Sequence, residues 1–504
     1  MQIPVVDVFA GPGGLGEGFS AYVAKGRPKH QPFKIAISAE MEANAARTLR
    51  LRAFYRQFPL GKAPISYYDY VAGRAAQPWT EKTEQEWLAS GAEARQLQLG
   101  LAEHDLVLHD RIRKVASSSD PWILIGGPPC QAYSLVGRAR NRGVAGYKAE
   151  DDHRHFLYKH YLKILRDHRP AAFVMENVKG ILSSKVGGEL MFPKILDDLR
   201  APGGRGGARY NVIPLVRDGE TDLFDDEDGR KYILRAEELG VPQARHRVVL
   251  LGVAEDIKLT RARWMSSFSD EVHLDSVIKG LPRLRSGVTN VDVDDWSSEA
   301  REILLHASSL TDDHRVSDEL RQQALRVPQT DFGSGGRSMP RTAGCNQVPS
   351  HLEAWLIDPR LGHLLNHEVR QHMWMDLVRY GYASAFTLAH KRSPRGASEF
   401  PESIHPDHAN WTTGKFVDRF KVQRWDAPSS TVTSHLQKDG HYFIHPDPTQ
   451  LRSISVREAA RLQTFPDNYF FEGARGAQFR QVGNAVPPWM ANQIADVVYS
   501  ILGH

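Results

Sequence analysis

Two cysteines, Cys130 and Cys345, are all that the 504 residues contain. Two thiols cannot build a disulfide framework or a four-cysteine zinc site, and such scarcity suits a reducing compartment. Long apolar runs are also missing: none approaches the ~18 consecutive residues of a membrane span. The opening MQIPVVDVFA has neither a charged leader nor a small-residue cleavage site, so a cytoplasmic protein is expected, with no membrane partner. Strong charge is absent too, since 64 Lys and Arg against 60 Asp and Glu leave a net +4. Contacts to a polyanion would therefore come from local clusters such as HKRSPRG (390–396) and KFVDRFKVQR (415–424), not from a basic arm. Internal repeats and low-complexity tracts are lacking as well. What is present is a 41% hydrophobic fraction, enough to build more than one core in a chain of this length.

Residues 1–255 alternate short apolar runs with amphipathic stretches. IPVVDVF, FKIAISAE, PISYY, WILIGG, AAFVMEN and HRVVLLGV read as strands, and FLYKHYLKILRDH reads as a helix between two of them. Such alternation predicts a mostly parallel sheet with helices on both faces. Residues 71–120 read as a mainly helical insertion, and 201–231 as surface loops or a hairpin. From 256 to 450 the alternation dissolves into sequence with many Trp, His, Pro and Gly, which predicts a smaller second domain of short strands and long loops. Within 451–504, SVREAARLQTF and PPWMANQIADVVYSILG return to helical spacing.

Chemistry concentrates at the strand ends. Gly11, Gly13 and Gly16 in DVFAGPGGLGEGFS follow a strand with the spacing G-x-G-x-x-G, a turn that lets backbone approach a nucleotide cofactor. The glycines alone do not choose among NAD, FAD and S-adenosylmethionine. PWILIGGPPCQAYS places Cys130 on a proline-stiffened turn after a buried strand, where open α/β sheets bind their ligands. AAFVMENV ends a second strand in Glu176 and Asn177. VPQARHRVVLL puts Gln243, Arg245 and Arg247 on one side of the start of a third. Thiolate, carboxylic acid and arginine together suit a pyrimidine: addition of sulfur at C6, with the acid at N3, makes C5 nucleophilic.

Taken in order, these motifs resemble those of the bacterial DNA (cytosine-5)-methyltransferases. DVFAGPGG is similar to the family's first cofactor motif, SAE (38–40) to its ribose-binding acid, GGPPCQAYS to its nucleophile motif and MENV to its glutamate motif. QARHR resembles its arginine motif, SVREAARLQTFPD the segment that supports the recognition domain, and QVGNAVP (481–487) the closing cofactor motif. The resemblance implies a Rossmann-like fold dependent on S-adenosylmethionine, over residues 1–255 and the last helices of 451–504, with a target recognition domain at 256–450. It implies Cys130 as nucleophile, Glu176 as the N3 partner, and Arg245 and Arg247 as the arginines that orient the base and support its cavity. For the cofactor it implies Phe9, Gly11, Gly13, Gly14, Leu15, Glu40, Met41, Pro129, Asn484 and Val486. The adenine contact is Asp69 or Asp110; PISYY reads as a strand, which favours Asp69. A closing loop over 131–150 would bring Gln131, Ser134, Arg138, Arg140 and Arg142 to DNA. Major-groove readers would include Arg337, Arg341, Asn346, Lys391, Arg392 and Arg395. The target cytosine must be flipped out of duplex DNA, because its C5 and C6 are stacked inside the helix. A monomer is expected, within restriction-modification or phage defence, with a companion nuclease as a further partner.

Overall fold

A computed structural model of the chain describes residues 2–27, 29–118, 121–129, 154–186, 188–204, 206–216, 229–259, 262–268, 270–408, 411 and 418–502. Two compact units divide it. The first is built from Met1–Pro64, Trp79–Asp270 and Ala485–His504; the second from Ile65–Pro78 and Glu271–Asn484.

The first unit is organised by one eight-stranded sheet. Its strands are β1 (Ile3–Val8), β2 (Phe33–Glu40), β3 (Ala94–Gln96), β4 (Ile123–Gly126), β5 (Ala172–Val178), β6 (Tyr210–Ile213), β7 (Ile233–Arg235) and β8 (His246–Ala254). They lie in the order β3-β2-β1-β4-β5-β8-β6, with β7 also paired to β8. The strands from β3 to β5 run parallel, whereas β8 is antiparallel to β5, β6 and β7. Side chains on a strand alternate between faces, so a continuous apolar run feeds two cores at once. Val5, Ile123, Ile125, Val174, Val249 and Leu251 enter one core, which the helix Pro488–Ile501 closes with Met490, Ile494 and Val498. Val6, Leu124, Phe173, Met175, Val248 and Leu250 enter the other, with the helices Ala102–Ser118, Arg154–His168 and Met191–Arg200. Strand order reverses between β1 and β4, and at such a switch point the carboxyl ends of two neighbouring strands leave a crevice for ligand.

Three expectations are corrected here. PISYY is not a strand: Ile65–Val71 is a helix of the second unit, because Tyr67 and Tyr68 are buried there, bonding the Asn468 carbonyl at 2.7 Å and Asp358 at 2.8 Å. The strand beside β2 is Ala94–Gln96, so the segment read as an insertion carries part of the sheet, and Leu108, Ile112 and Val115 of its helix Ala102–Ser118 belong to the core. Within 201–231, read as surface loops or a hairpin, Tyr210–Ile213 is a strand of the main sheet, paired with β8, with Tyr210, Val212 and Ile213 buried.

The second unit is more helical than its irregular composition suggests. The helices Trp296–Ser309, His314–Arg326 and Trp374–His390 share a core containing Trp296, Leu304, Leu320, Leu377 and Tyr380. Asp295 and Asp313 cap the first two by accepting backbone N–H bonds. Its β component includes the antiparallel pair Gly335–Pro340 and His363–Glu368. No helix among the described residues is long and apolar enough to cross a membrane.

Candidate active site

Backbone geometry shapes the first part of the site. After β1 the chain turns through left-handed conformations at Phe9 (φ 55°), Gly11 (φ 57°) and Gly13 (φ 97°) and enters α1 (Gly14–Ser20). A Cβ on Gly14 would lie 2.1 Å from the carbonyl oxygen of Val486, so this position admits no side chain. Gly16 faces inward, where an added Cβ would meet the Asp7 carboxylate at 2.9 Å. It is a packing glycine, not a third turn of a dinucleotide fingerprint.

Glu40, at the carboxyl end of β2, fastens this turn. One carboxylate oxygen accepts the Gly11 N–H and the other the Glu42 N–H, both at 2.8 Å. Burial raises its pKa against these bonds. Each oxygen keeps a lone pair, so the carboxylate can also accept from a diol. Met41 beside it is 57% exposed, an apolar surface at the rim. Leu15 packs its side chain into the core, which leaves its backbone at the first helical turn as what it offers a ligand. Val486 supplies the carbonyl against Gly14, while Asn484 ends the helix Arg475–Asn484 of the second unit.

Neither aspartate proposed for the adenine stands on the neighbouring strand. Asp69 lies on the helix Ile65–Val71 of the second unit, its carboxylate held by Arg74 at 2.7 Å. Asp110 is an exposed helical residue paired with Lys114 at 2.8 Å. At that edge of the sheet stands Gln96, opposite Glu40, its amide donating to the Met41 carbonyl at 3.2 Å.

The ends of β4, β5 and β8 build the polar centre. Glu176 is brought against the turn that follows β4: a Cβ on Gly127 would be 3.0 Å from its carboxylate. Its other oxygen meets Arg247 Nε at 2.8 Å, an ion pair made possible by the antiparallel register of β8 on β5. Arg247 also donates to the His246 carbonyl at 2.8 Å, which fixes its fork. Asn177 donates to the Pro128 carbonyl at 3.1 Å and so ties the two strand ends together. The two arginines separate by role. Arg245 is fully buried and donates to the Ala485 carbonyl at 2.7 Å, and burial lowers its pKa. It braces the closing motif, whereas Arg247 is the one that reaches the acid. Asn177 was missed as a site residue, although its place in MENV signals it. Glu237, whose carboxylate holds His246 at 2.6 Å and the Arg245 N–H at 3.1 Å, carries no such signal. Pro129 closes the described turn. Cys130, Gln131, Ser134, Arg138, Arg140 and Arg142 lie outside the described residues.

The expected DNA readers of the second unit divide. Arg341 is a structural residue: Asp467 holds it at 2.8 Å and Asn346 at 2.9 Å, leaving its side chain 10% exposed. Arg337 is exposed and stacks on Phe470 (4.4 Å) and Tyr70 (5.2 Å). Lys391 caps the helix Trp374–His390 in a left-handed conformation, and Arg392 makes two 2.7 Å bonds to Glu399. Lys391, Arg392 and Arg395 are all exposed.

Known proteins resemble this chain. Residues 105–500 match the family model described as C-5 cytosine-specific DNA methylase. A type II methyltransferase of Bacillus paralicheniformis is 31% identical, over 99% of both chains. One from Thalassovita gelatinovora is 27% identical over 75% of this chain and 82% of its own. DNA (cytosine-5)-methyltransferase 1 of mouse is 26% identical over 76% of this chain and 23% of its own. The crystal structure of a DNA modification methyltransferase encoded within an E. coli prophage aligns over the whole of both chains with a TM-score of 0.53 at 19% identity, a likeness of fold. With the family model spanning most of the chain and a relative this similar along its full length, the chain belongs to the C-5 cytosine-specific DNA methylase family and is a DNA (cytosine-5-)-methyltransferase.

Proposed function

We propose that this methyltransferase modifies a flipped cytosine in a specific duplex sequence, using S-adenosylmethionine held at the switch point between β1 and β4. The glycine turn that excludes a Cβ at Gly14, the accepting carboxylate of Glu40 and the exposed Met41 suit the ribose and adenine of that cofactor. When bound it supplies an electrophilic sulfonium methyl group. The chain's own residues make cytosine C5 reactive toward it. The Cys130 thiolate adds to C6 while Glu176 hydrogen-bonds or protonates N3, so the C4-C5-C6 segment becomes an enamine. Arg247 orients the base and holds Glu176 in place, and Arg245 supports the cavity wall. After C5 is substituted, its proton passes to water, the thiolate is expelled from C6 and any proton on N3 returns to Glu176, which restores the aromatic ring. The observation that carries this reading is the wedging of Glu176 between Arg247 and the turn that leads into Cys130.

In this reading the second unit reads the target sequence, with Arg337, Lys391, Arg392 and Arg395 as DNA contacts, and Gln131, Ser134, Arg138, Arg140 and Arg142 attend the flipped nucleotide. The protein acts as a cytoplasmic monomer and is paired with a companion nuclease in restriction-modification or phage defence. A duplex carrying 5-fluorocytosine in the target is expected to trap a covalent adduct, and Cys130→Ser to abolish it. An undiminished adduct would show that the nucleophile is wrong. With labelled S-adenosylmethionine, label is expected in duplex DNA at sites that bisulfite sequencing maps; label in tRNA alone would overturn the DNA reading.

A further inference from the structure

The second unit contains a cavity of about 550 Å³ that the methyl-transfer chemistry does not use. Its floor is electrostatically closed on itself. Arg452 and Glu458, both buried, make two bonds of 2.7 Å, and Arg283 pairs with Asp447 at 3.3 Å. His445 above them is held neutral, its pKa lowered to about 3 by burial and by the Arg452 charge. The rim is different. Lys279, Arg326 and Lys391 are exposed at the opening, and no carboxylate among the described residues forms an ion pair with them. Trp425 forms one wall, half-buried, with its ring edge-on to His445 at 5.3 Å. The Lys279 ammonium stands 5.9 Å from the centre of the Trp425 ring. Glu319, also lining the cavity, has one carboxylate oxygen engaged by Gln323 at 2.7 Å.

These features separate by chemistry. A flat aromatic wall offers stacking to a planar ring, a technique by which proteins hold bases without reading a duplex. Cations that form no ion pair among the described residues suit a phosphate beside it, and the Glu319 carboxylate can accept from an exocyclic amino group. The volume lies in the range of pockets that enclose a small ligand. An anion alone would leave the tryptophan unused, and an apolar ligand would leave the lysines unused. We propose that this cavity is a nucleotide-binding pocket in which Trp425 stacks on one base while Lys279, Lys391 and Arg326 hold its phosphate. The occupant is either a free mononucleotide or one nucleotide displaced from DNA.

Equilibrium dialysis of the full chain with labelled dGMP tests this. Saturating S-adenosylhomocysteine keeps the first unit's cradle out of the measurement, and guanine avoids the cytosine site. One equivalent of dGMP is expected to bind saturably. Lys279→Ala with Lys391→Ala, both at exposed positions, should weaken it at least tenfold, as should Trp425→Ala, while Trp425→Phe stays within about threefold. Inorganic phosphate should compete at least tenfold more weakly than dGMP. The proposal is overturned if binding does not saturate, if the double lysine variant binds as the parent does, or if phosphate competes equally. The source is decided by a duplex with a single-nucleotide bulge. If the occupant comes from DNA, dGMP displaces the bulged duplex and the lysine variant loses its preference over a paired one. If it is a free nucleotide, DNA affinity is unchanged by dGMP.

Discussion

Asp7 lies near the carboxyl end of β1, fully buried, with no hydrogen-bond partner among the described residues for either carboxylate oxygen. Burial pushes its pKa up to about 8, opposed by the Arg56 charge. The folded chain therefore keeps this proton while the unfolded chain loses it near pH 4. Its contribution to stability is complete below about pH 4, declines by about 1.4 kcal/mol per pH unit and is gone above the folded value. Asp7→Asn should remove that decline, seen as a difference between variant and parent in urea unfolding at pH 5, 6.5 and 8; parallel pH profiles would refute it. Gly14 makes a second prediction at this scale. Ala there must displace the Val486 backbone, and a destabilisation of roughly 1–3 kcal/mol is expected, with weaker retention of S-adenosylhomocysteine in calorimetry. The glycine spacing was legible in the sequence, but the separate duties of Gly14 and Gly16 were not, because each depends on a group brought up by the fold.

Elements differ in how openly the sequence declares them. SVREAARLQTF reads as a helix and is one: Val456–Leu462 begins with a capping box in which Ser455 and Glu458 exchange bonds. Arg457 and Arg461 on this helix are buried all the same: Arg457 donates to the Leu365, Pro466 and Tyr469 carbonyls, and Asp467, five residues past the helix end, accepts from Arg461 Nε and Nη2 at 2.9 and 2.7 Å and from Arg341 at 2.8 Å. Asp467→Ala strands these charges, and a loss of about 3–5 kcal/mol is expected in thermal or urea unfolding. A loss below about 1 kcal/mol would show that water replaces the carboxylate. The same network leaves Arg341 paired and mostly buried. PISYY failed as a strand for a related reason: its tyrosines suit either state, and tertiary hydroxyl contacts decided for helix.

At the scale of the molecule, the first unit is discontinuous in sequence. Gly18 of α1 lies so close to the helix Pro488–Ile501 that a Cβ would come within 2.4 Å of Ala491, and Ile494, Ala495 and Val498 complete the core of β1 and β4. Deletion of residues 485–504 should expose that core, and binding of a hydrophobic dye with loss of a cooperative thermal transition is the expected result. A cooperative, dye-free truncation would show that the sheet stands without it. By itself, the sequence determined the mostly parallel α/β layering, the glycine turn after β1, the helical spacing of SVREAARL and the order of the chemical motifs. Periodicity, turn chemistry and motif spacing are local properties, written within a few residues of where they act. Tertiary structure alone decided that Ala94–Gln96 is the third strand, that Arg247 and not Arg245 meets Glu176, that Arg341 and Asp69 are internally paired, and that Trp425 and Lys391 share a cavity. Each of those outcomes joins residues far apart in the chain, and burial and charge pairing choose such partners only when the whole fold has closed.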